Sequence, residues 1–148
     1  MDTLPNVTAT GADGAPLRLV DLPRPLVVYF YPKDDTPGCT REAQDFSALA
    51  DDFAAAGVTV LGISRDTVAK HARFRDKHAL AVPLASDLDG SVTEAFGVWG
   101  EKQLYGRTYM GIERATFLFD ADARLARAWR KVKVAGHAAA VLDAARAL

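Results

Sequence analysis

The chain contains a single cysteine, Cys39, which follows a Pro-Gly pair in the stretch YPKDDTPGCTREA. Because there is no second cysteine, this thiol cannot form an internal disulfide. A helix that begins at this point would stabilise a thiolate through its unpaired N–H groups and its partial positive charge. The thiolate is the nucleophilic form of cysteine, so the position favours reactivity. A lone cysteine is also often a small buried hydrophobic residue, and the residues alone leave that inert alternative open.

Neighbouring residues offer groups that a reactive thiol would need. Thr36, three residues earlier, has a hydroxyl that both donates and accepts hydrogen bonds. Gly38 lets backbone N–H groups approach a small ligand closely. A fast thiol enzyme also needs donors directed at charge that develops in the transition state, each worth about 2.7–4 kcal/mol. Arg41 is near in sequence, and Arg114 could arrive from a distant junction between a loop and a strand.

The overall composition argues against several other classes of protein. The 148 residues, 49% of them hydrophobic and 25% charged, suit one globular domain spanning residues 1–148. A net charge of −1 argues against a nucleic-acid binder, which needs a basic face. The sequence shows no secretory signal, and no apolar run approaches the ~20 residues that span a bilayer. A single free cysteine fits a reducing compartment, so we expect a cytoplasmic protein.

The histidines do not predict a metal site. His71 and His78 are seven residues apart on one predicted helix, whereas two ligands on one helix face prefer a spacing of three or four. No cluster of carboxylates and histidines in the sequence completes such a site. We therefore expect neither a metal nor another cofactor.

The first half of the chain alternates between strand and helix patterns. Two short runs flank the Asp-Gly turn signal in VTATGADGAPLRLVDL and predict a β-hairpin. The continuous apolar run Leu26–Tyr31 predicts a central strand buried on both faces. The apolar spacing predicts a helix over Thr40–Ala56, just after Cys39, and Val58–Ser64 predicts a second strand. Asp66 is a suitable N-cap for a helix that extends to about His78.

The second half continues this alternation after an irregular segment. VPLAS is a short strand candidate, and Asp89 could cap a short helix that ends near Gly97. The segment VWGEKQLYGRTYMGIER has no clear period and predicts a long functional loop. Ala115–Asp120 predicts a buried strand, and an Ala-rich helix begins at about His137. LARAWR also matches a helix, but the turn ADA before it favours a hairpin strand beside Ala115–Asp120. The pattern predicts an α/β fold whose central sheet has helices on both faces and binds ligands outside the carboxyl ends of its strands.

Two long motifs resemble a known family. FYPKDDTPGCTREA resembles the active-site segment of peroxiredoxins, and FGVWGEKQLYGRTYMGIERATFLFD is similar to the Q-type branch, also called bacterioferritin comigratory protein. The resemblance covers nearly the whole chain. It implies a thioredoxin-like central mixed sheet flanked by helices, with an N-terminal β-hairpin extension. It also implies a thiol-dependent peroxidase that reduces hydrogen peroxide and organic hydroperoxides.

The resemblance assigns roles to five residues by position. Cys39 matches the peroxidatic cysteine, which attacks a peroxide oxygen and becomes a sulfenic acid. Thr36 matches the hydroxyl that bonds the peroxide and the thiolate, and Arg114 matches the arginine that polarises the thiolate and the O–O bond. Pro32 matches a residue that shields the pocket. Glu42 matches a glutamate that supports the arginine.

The chain departs from the family pattern at the resolving cysteine. Many Q-type members carry it five residues after the peroxidatic cysteine, where this chain has Gln44, and others carry it in the region of residues 91–96. Neither position holds a cysteine here, so the resemblance implies a one-cysteine mechanism with an external thiol. The candidate reductants are thioredoxin, glutaredoxin, glutathione and the Cys39 of a second subunit. We expect a monomer, or at most a weak dimer, with no nucleic-acid or membrane partner.

Two alternatives to the peroxidase remain open on the sequence. A peroxide sensor, or a redox-regulated binding protein, would form the same sulfenic acid with little turnover. A thioredoxin-like domain with an inert thiol would not react at all.

Overall fold

The computed structural model describes residues 1–148. Nine strands and five α-helices follow one another in the order β1 (Thr8–Thr10), β2 (Pro16–Arg18), β3 (Leu26–Phe30), α1 (Pro37–Ala48), α2 (Ala50–Ala55), β4 (Thr59–Ser64), α3 (Val68–His78), β5 (Leu84–Ser86), α4 (Ser91–Ala95), β6 (Trp99–Leu104), β7 (Arg107–Ile112), β8 (Ala115–Phe119), β9 (Leu125–Trp129) and α5 (His137–Arg146). None of the helices combines the length and the apolar character that crossing a lipid bilayer requires.

Seven strands form one mixed sheet in the order β2-β1-β5-β4-β3-β8-β9. The central strands β3, β4 and β5 are parallel, whereas the other pairs are antiparallel. All five residues of β3 are buried, as the continuous apolar run predicts for a strand covered on both faces. The expected thioredoxin-like mixed sheet with an N-terminal hairpin is confirmed.

The two faces of the sheet bury separate hydrophobic cores. Side chains along β3 alternate between them: Val27 and Tyr29 point into a cluster of 17 buried residues, and Val28 and Phe30 into a cluster of 16. Residues of α1, α2, α3 and α5 belong to the first cluster, and a residue of α4 belongs to the second. Cys39 belongs to the first cluster, so its thiol is packed against the sheet.

The predicted helix over Thr40–Ala56 is wrong at its start and in its middle. The helix begins at Pro37, and the chain interrupts it at Leu49, whose φ and ψ of −99° and 7° leave the helical region. Its apolar period starts later than the helix does, so periodicity alone placed the start too late. Because the helix begins at Pro37, Cys39 lies inside its first turn.

The two aspartate caps are each displaced by one residue. Thr67 caps α3 and accepts a hydrogen bond from the Lys70 N–H at 3.2 Å, while Asp66 bonds elsewhere. Gly90 occupies the cap position of α4 in the left-handed region, and Asp89 instead accepts from the N–H two residues later. Each aspartate instead bonds a residue two positions away, Asp66 the Ser64 hydroxyl and Asp89 the Ser91 N–H, which such short side chains do readily.

The expected long loop between Val98 and Arg114 is wrong, because the segment forms a hairpin. Strands β6 and β7 pair with each other from Trp99↔Ile112 to Leu104↔Arg107 and form a separate two-stranded sheet. The two turn residues both have positive φ, 52° and 76°, as a tight hairpin turn requires. Most of the hairpin's side chains are partly or fully exposed, so no alternation of apolar and polar residues marks its strands.

Candidate active site

The Cys39 thiol lies at the start of α1, which leaves the carboxyl end of β3 through the loop 31–36. Thr36 occupies the cap position with extended backbone angles, and Pro37 is the first helical residue, where its fixed φ suits a helix and its missing N–H costs nothing. Cys39 is 2% exposed. Its sulfur therefore lies near the positive end of the helix and almost out of contact with bulk water.

Arg114 joins the site from the junction between β7 and β8. Its Nη2 donates to Cys39 Sγ at 3.3 Å, and its Nη1 donates to Glu42 Oε1 at 2.7 Å. A Cβ at Gly38 would lie 3.2 Å from that same Nη2, so the glycine leaves room for the guanidinium. The structure thus brings together three of the five residues that the sequence nominates.

Glu42 is the buried carboxyl of this group. Its side chain is 1% exposed, and its second oxygen, Oε2, has no hydrogen-bond partner. Burial raises the pKa of Glu42 to about 7, although the charge and hydrogen bond of Arg114 act in the opposite direction. Around neutral pH this carboxyl is therefore partly protonated.

Arg114 carries the opposite charge between two acidic groups. Burial acts to lower the pKa of Arg114, but the neighbouring charges of Glu42 and Cys39 outweigh it, and the net pKa is raised. The guanidinium is thus a permanent cation at the sulfur. The same charge, after the larger effect of burial, helps to lower the pKa of His137 to about 4. His137 is neutral at pH 7 and shares a 2.7 Å hydrogen bond with Thr116.

Thr36 and Pro32 lie in the loop before Cys39 without contacting its sulfur through a hydrogen bond. The Thr36 hydroxyl donates to the carbonyl oxygen of Lys33 at 2.9 Å, which leaves the hydroxyl oxygen free to accept. Pro32 is half-buried and, with Arg114, lines a cavity of about 540 Å³. The loop therefore forms one wall next to the arginine.

The walls of this cavity include a cation that the sequence analysis did not nominate. Lys102 of β6 donates from Nζ to the carbonyl oxygen of Ile112 at 2.9 Å. Its pKa is lowered by burial and then by the charge of Arg114. Its stem crosses Gly111, where a Cβ would lie 2.9 Å from Lys102 Cδ. The position of Lys102 depends on the pairing of β6 with β7. Because the sequence does not reveal this hairpin, it gives no signal that Lys102 lies in the cavity wall.

A thiol at a helix N-terminus, in contact with a partly buried guanidinium on a thioredoxin-like sheet, has the features of a thiol peroxidase site. A cation in this position can stabilise a thiolate and the negative charge of a leaving oxygen. The model of the AhpC/TSA family matches residues 1–128, and the chain belongs to this family, within its Q-type or Bcp peroxiredoxins.

Named relatives and solved structures agree with this assignment. Peroxiredoxin Bcp of Xanthomonas campestris is 54% identical over 122 residues, which cover 82% of this chain and 76% of that protein. Peroxiredoxin Bcp of Bacillus subtilis is 44% identical and covers 94% of this chain and 89% of its own length. A structure of the X. campestris bacterioferritin comigratory protein, solved in work on its alkyl peroxide reduction, matches with a TM-score of 0.88 at 47% identity. That match covers 95% of this chain and 90% of the other. The chain is accordingly a peroxidase that uses a peroxide substrate and a thiol reductant.

Proposed function

We propose that Cys39 is the peroxidatic residue of a one-cysteine mechanism. The thiolate sulfur attacks one oxygen of the hydroperoxide, an S–O bond forms, and the O–O bond breaks. The cysteine becomes a sulfenic acid, and the other oxygen leaves as water or an alcohol after it takes up a proton. The observation that carries the proposal is the 3.3 Å contact between Arg114 Nη2 and Cys39 Sγ inside a nearly closed site.

The surrounding residues have separate proposed roles. Arg114 stabilises the thiolate and the charge on the leaving oxygen, because its guanidinium donates from fixed positions. Glu42 holds that guanidinium through the 2.7 Å bond to Nη1. The Thr36 hydroxyl, whose proton already bonds a carbonyl, keeps lone pairs that can accept the peroxide O–H. Pro32 shields the site on the side of the cavity.

An external thiol completes the proposed cycle. The sulfenic acid reacts with one thiol to give a mixed disulfide and water, and a second thiol then releases Cys39 as a disulfide forms between the two reductants. The absence of any second cysteine supports this route, and position 44 is an exposed glutamine. The candidates remain thioredoxin, glutaredoxin, glutathione and the Cys39 of a second copy. We infer one domain over residues 1–148 that acts as a monomer in the reducing cytoplasm, where thiols are supplied.

The test is peroxide consumption with a panel of reductants. The chain is mixed with hydrogen peroxide or an alkyl hydroperoxide, and each thiol is supplied in turn. We expect many turnovers with at least one thiol and none with Cys39→Ser. A single stoichiometric burst with every reductant would contradict catalytic turnover. A chain that fails to consume even one equivalent would contradict the role of Cys39 itself.

A further inference from the structure

Two acid–histidine pairs fasten the loop before Cys39 to helix α3. The histidines seven residues apart, His71 and His78, lie two turns apart on α3 and meet consecutive aspartates of the loop. The inner pair is buried: His71 is 3% and Asp34 2% exposed. The outer pair is open to solvent, since the Asp35 side chain is 42% exposed and also bonds Lys77. The seven-residue spacing of the histidines, which argues against a metal site, thus places both of them in contact with the same loop.

The inner pair belongs to a buried hydrogen-bond network. One oxygen of Asp34 accepts from the Tyr31 hydroxyl at 2.5 Å, and the other bonds His71 Nδ1 at 2.5 Å. The other ring nitrogen, Nε2, faces the carbonyl oxygen of Ala85 in β5 at 3.0 Å and must donate to it. The backbone N–H of Asp34 donates to Asp66 Oδ2 at 2.8 Å. These bonds connect the loop to α3, to β5 and to Asp66, which lies just before α3.

The same side chains do not form a metal site in this arrangement. Ligand atoms of Asp34, Asp66 and His71 lie within 4.8 Å of one another. Two ligands on a tetrahedral zinc, however, are about 3.3 Å apart when each bond is about 2.0 Å. The 2.5 Å contact between Asp34 and His71 is a direct hydrogen bond that leaves no room for an ion between them.

We propose that Asp34 and His71 are positioning residues for the peroxidatic site. Asp34 lies midway between Pro32, which lines the cavity beside Arg114, and Thr36, which caps α1. The Thr36 carbonyl oxygen accepts from the Thr40 N–H at 2.8 Å and so starts the helix turn that contains Cys39. A loop fixed at Asp34 therefore fixes the cap, the first turn of α1 and the sulfur within it. This inference rests on the proposed role of Cys39.

Two substitutions of His71 separate positioning from general packing. The side-chain nitrogen of asparagine occupies nearly the place of histidine Nδ1, and that of glutamine the place of Nε2. His71→Asn therefore retains a donor to Asp34 and loses the bond to Ala85, whereas His71→Gln does the reverse. Each variant loses one buried hydrogen bond, so a role in stability alone predicts similar effects for both.

The measurement is the second-order rate constant for peroxide, obtained in a single turnover by competition with a reference peroxidase. We expect His71→Gln to lower it by about 10–100-fold, as a small misplacement of reacting groups does, and His71→Asn to stay within about threefold of wild type. His78→Asn is the control, because it removes the Nε2 contact with Asp35, and an exposed pair of this kind contributes little, so the rate should be unchanged. Urea unfolding of each variant reports stability separately.

Equal rates for the two His71 variants, whether slowed or not, would overturn the positioning role. Asp34→Asn changes the other partner of the same bond, and it provides the test if a His71 variant fails to fold. We expect it to slow the reaction by about tenfold or more, since an amide NH₂ then replaces one of the two oxygens that bond Tyr31 and His71. A folded Asp34→Asn chain that reacts at the wild-type rate would also overturn the proposal. A wild-type chain that does not react with peroxide would instead refute the role of Cys39, so the two failures can be distinguished.

Discussion

Arg114 contacts two side chains of α1, Cys39 and Glu42, from one rigid fork. Lysine keeps the positive charge but has a single nitrogen, which cannot donate to both partners with this geometry. We expect Arg114→Lys to lower the rate constant for peroxide by about 10²–10³-fold, as the loss of one directed donor does. The measurement is the single-turnover rate with hydrogen peroxide.

A matched control exists for that substitution. Arg130 donates to Glu113 from two nitrogens, at 2.8 and 3.1 Å, and its side chain is 48% exposed. Arg130→Lys removes a similar fork, which has no contact with Cys39, so we expect an unchanged peroxide rate. If Arg114→Lys reacted as fast as Arg130→Lys, charge alone would suffice and the donor geometry would be unimportant.

Glu42 makes the stability of the fold depend on pH. Its pKa is about 7 in the folded chain, above the 4.5 of the free side chain, because burial disfavours the charge. Between these two values the unfolded chain has lost this proton while the folded chain retains it. Stability from this group is therefore complete below about pH 4.5 and falls as the pH rises to about 7. The loss amounts to about 3 kcal/mol.

Glu42→Gln tests this dependence, because an amide does not titrate. We expect the free energy of unfolding of the variant, relative to wild type, to increase by about 3 kcal/mol between about pH 4.5 and pH 7.5. Urea unfolding of both chains across that range measures the difference. A difference that stays constant with pH would show that Glu42 is not protonated in the fold near neutrality.

At the scale of elements, the first turn of α1 needs a residue without a side chain where the Arg114 guanidinium passes over it. Gly38 is a helical residue, so alanine there should favour the helix by up to about 1 kcal/mol. Its Cβ would lie 3.2 Å from Arg114 Nη2 and displace that nitrogen from the sulfur. We therefore expect Gly38→Ala to be as stable as wild type or more so, and to react with peroxide about tenfold or more slowly. Unfolding and single-turnover rates measured together check this, and a variant that is both stable and fully active would contradict it.

The start of α1 shows which elements the sequence predicts well. The continuous apolar strands are confirmed, because burial on both faces leaves a strong signal in each strand itself. The helix start is wrong because apolar periodicity begins only at Ala43, although Thr36 and Pro37 are a common cap and first residue. The β6–β7 hairpin is missed because neither of its faces is fully buried, and its Tyr105-Gly106 turn is not a strong signal.

The site follows the same division between local and long-range information. The position of Cys39 at a helix start is a local property, and the residues predict it. Arg114 is 75 residues from Cys39 along the chain, so only the family resemblance indicates that the two are in contact. The bond between Asp34 and His71 spans 37 residues, and the histidine spacing alone argues against a metal without revealing the aspartate as a partner. Contacts of this kind depend on strand order, which one sequence does not specify.

At the scale of the molecule, the sheet explains how these distant residues meet. Phe30, the last residue of β3, pairs with Ala115, the first residue of the antiparallel strand β8. The loop after β3 and the residue before β8 therefore emerge at the same edge of the sheet. Arg114 is that residue, and α1 begins a few residues after β3 at the same edge. The register of one strand pair thus sets the distance between the guanidinium and the sulfur.

A site with one sulfur has a consequence for the whole molecule under excess peroxide. No second thiol in the chain can intercept the sulfenic acid, so a second peroxide should oxidise it to sulfinic acid. Without a reductant, we expect intact-mass analysis to show a monomer that gains two oxygen atoms at Cys39. Met1 and Met110 are about half exposed and can also gain oxygen, so Cys39→Ser provides the necessary background. An unchanged mass would contradict the reactivity of Cys39, and a disulfide-linked dimer in place of the sulfinic acid would show that a second copy intercepts the sulfenic acid first.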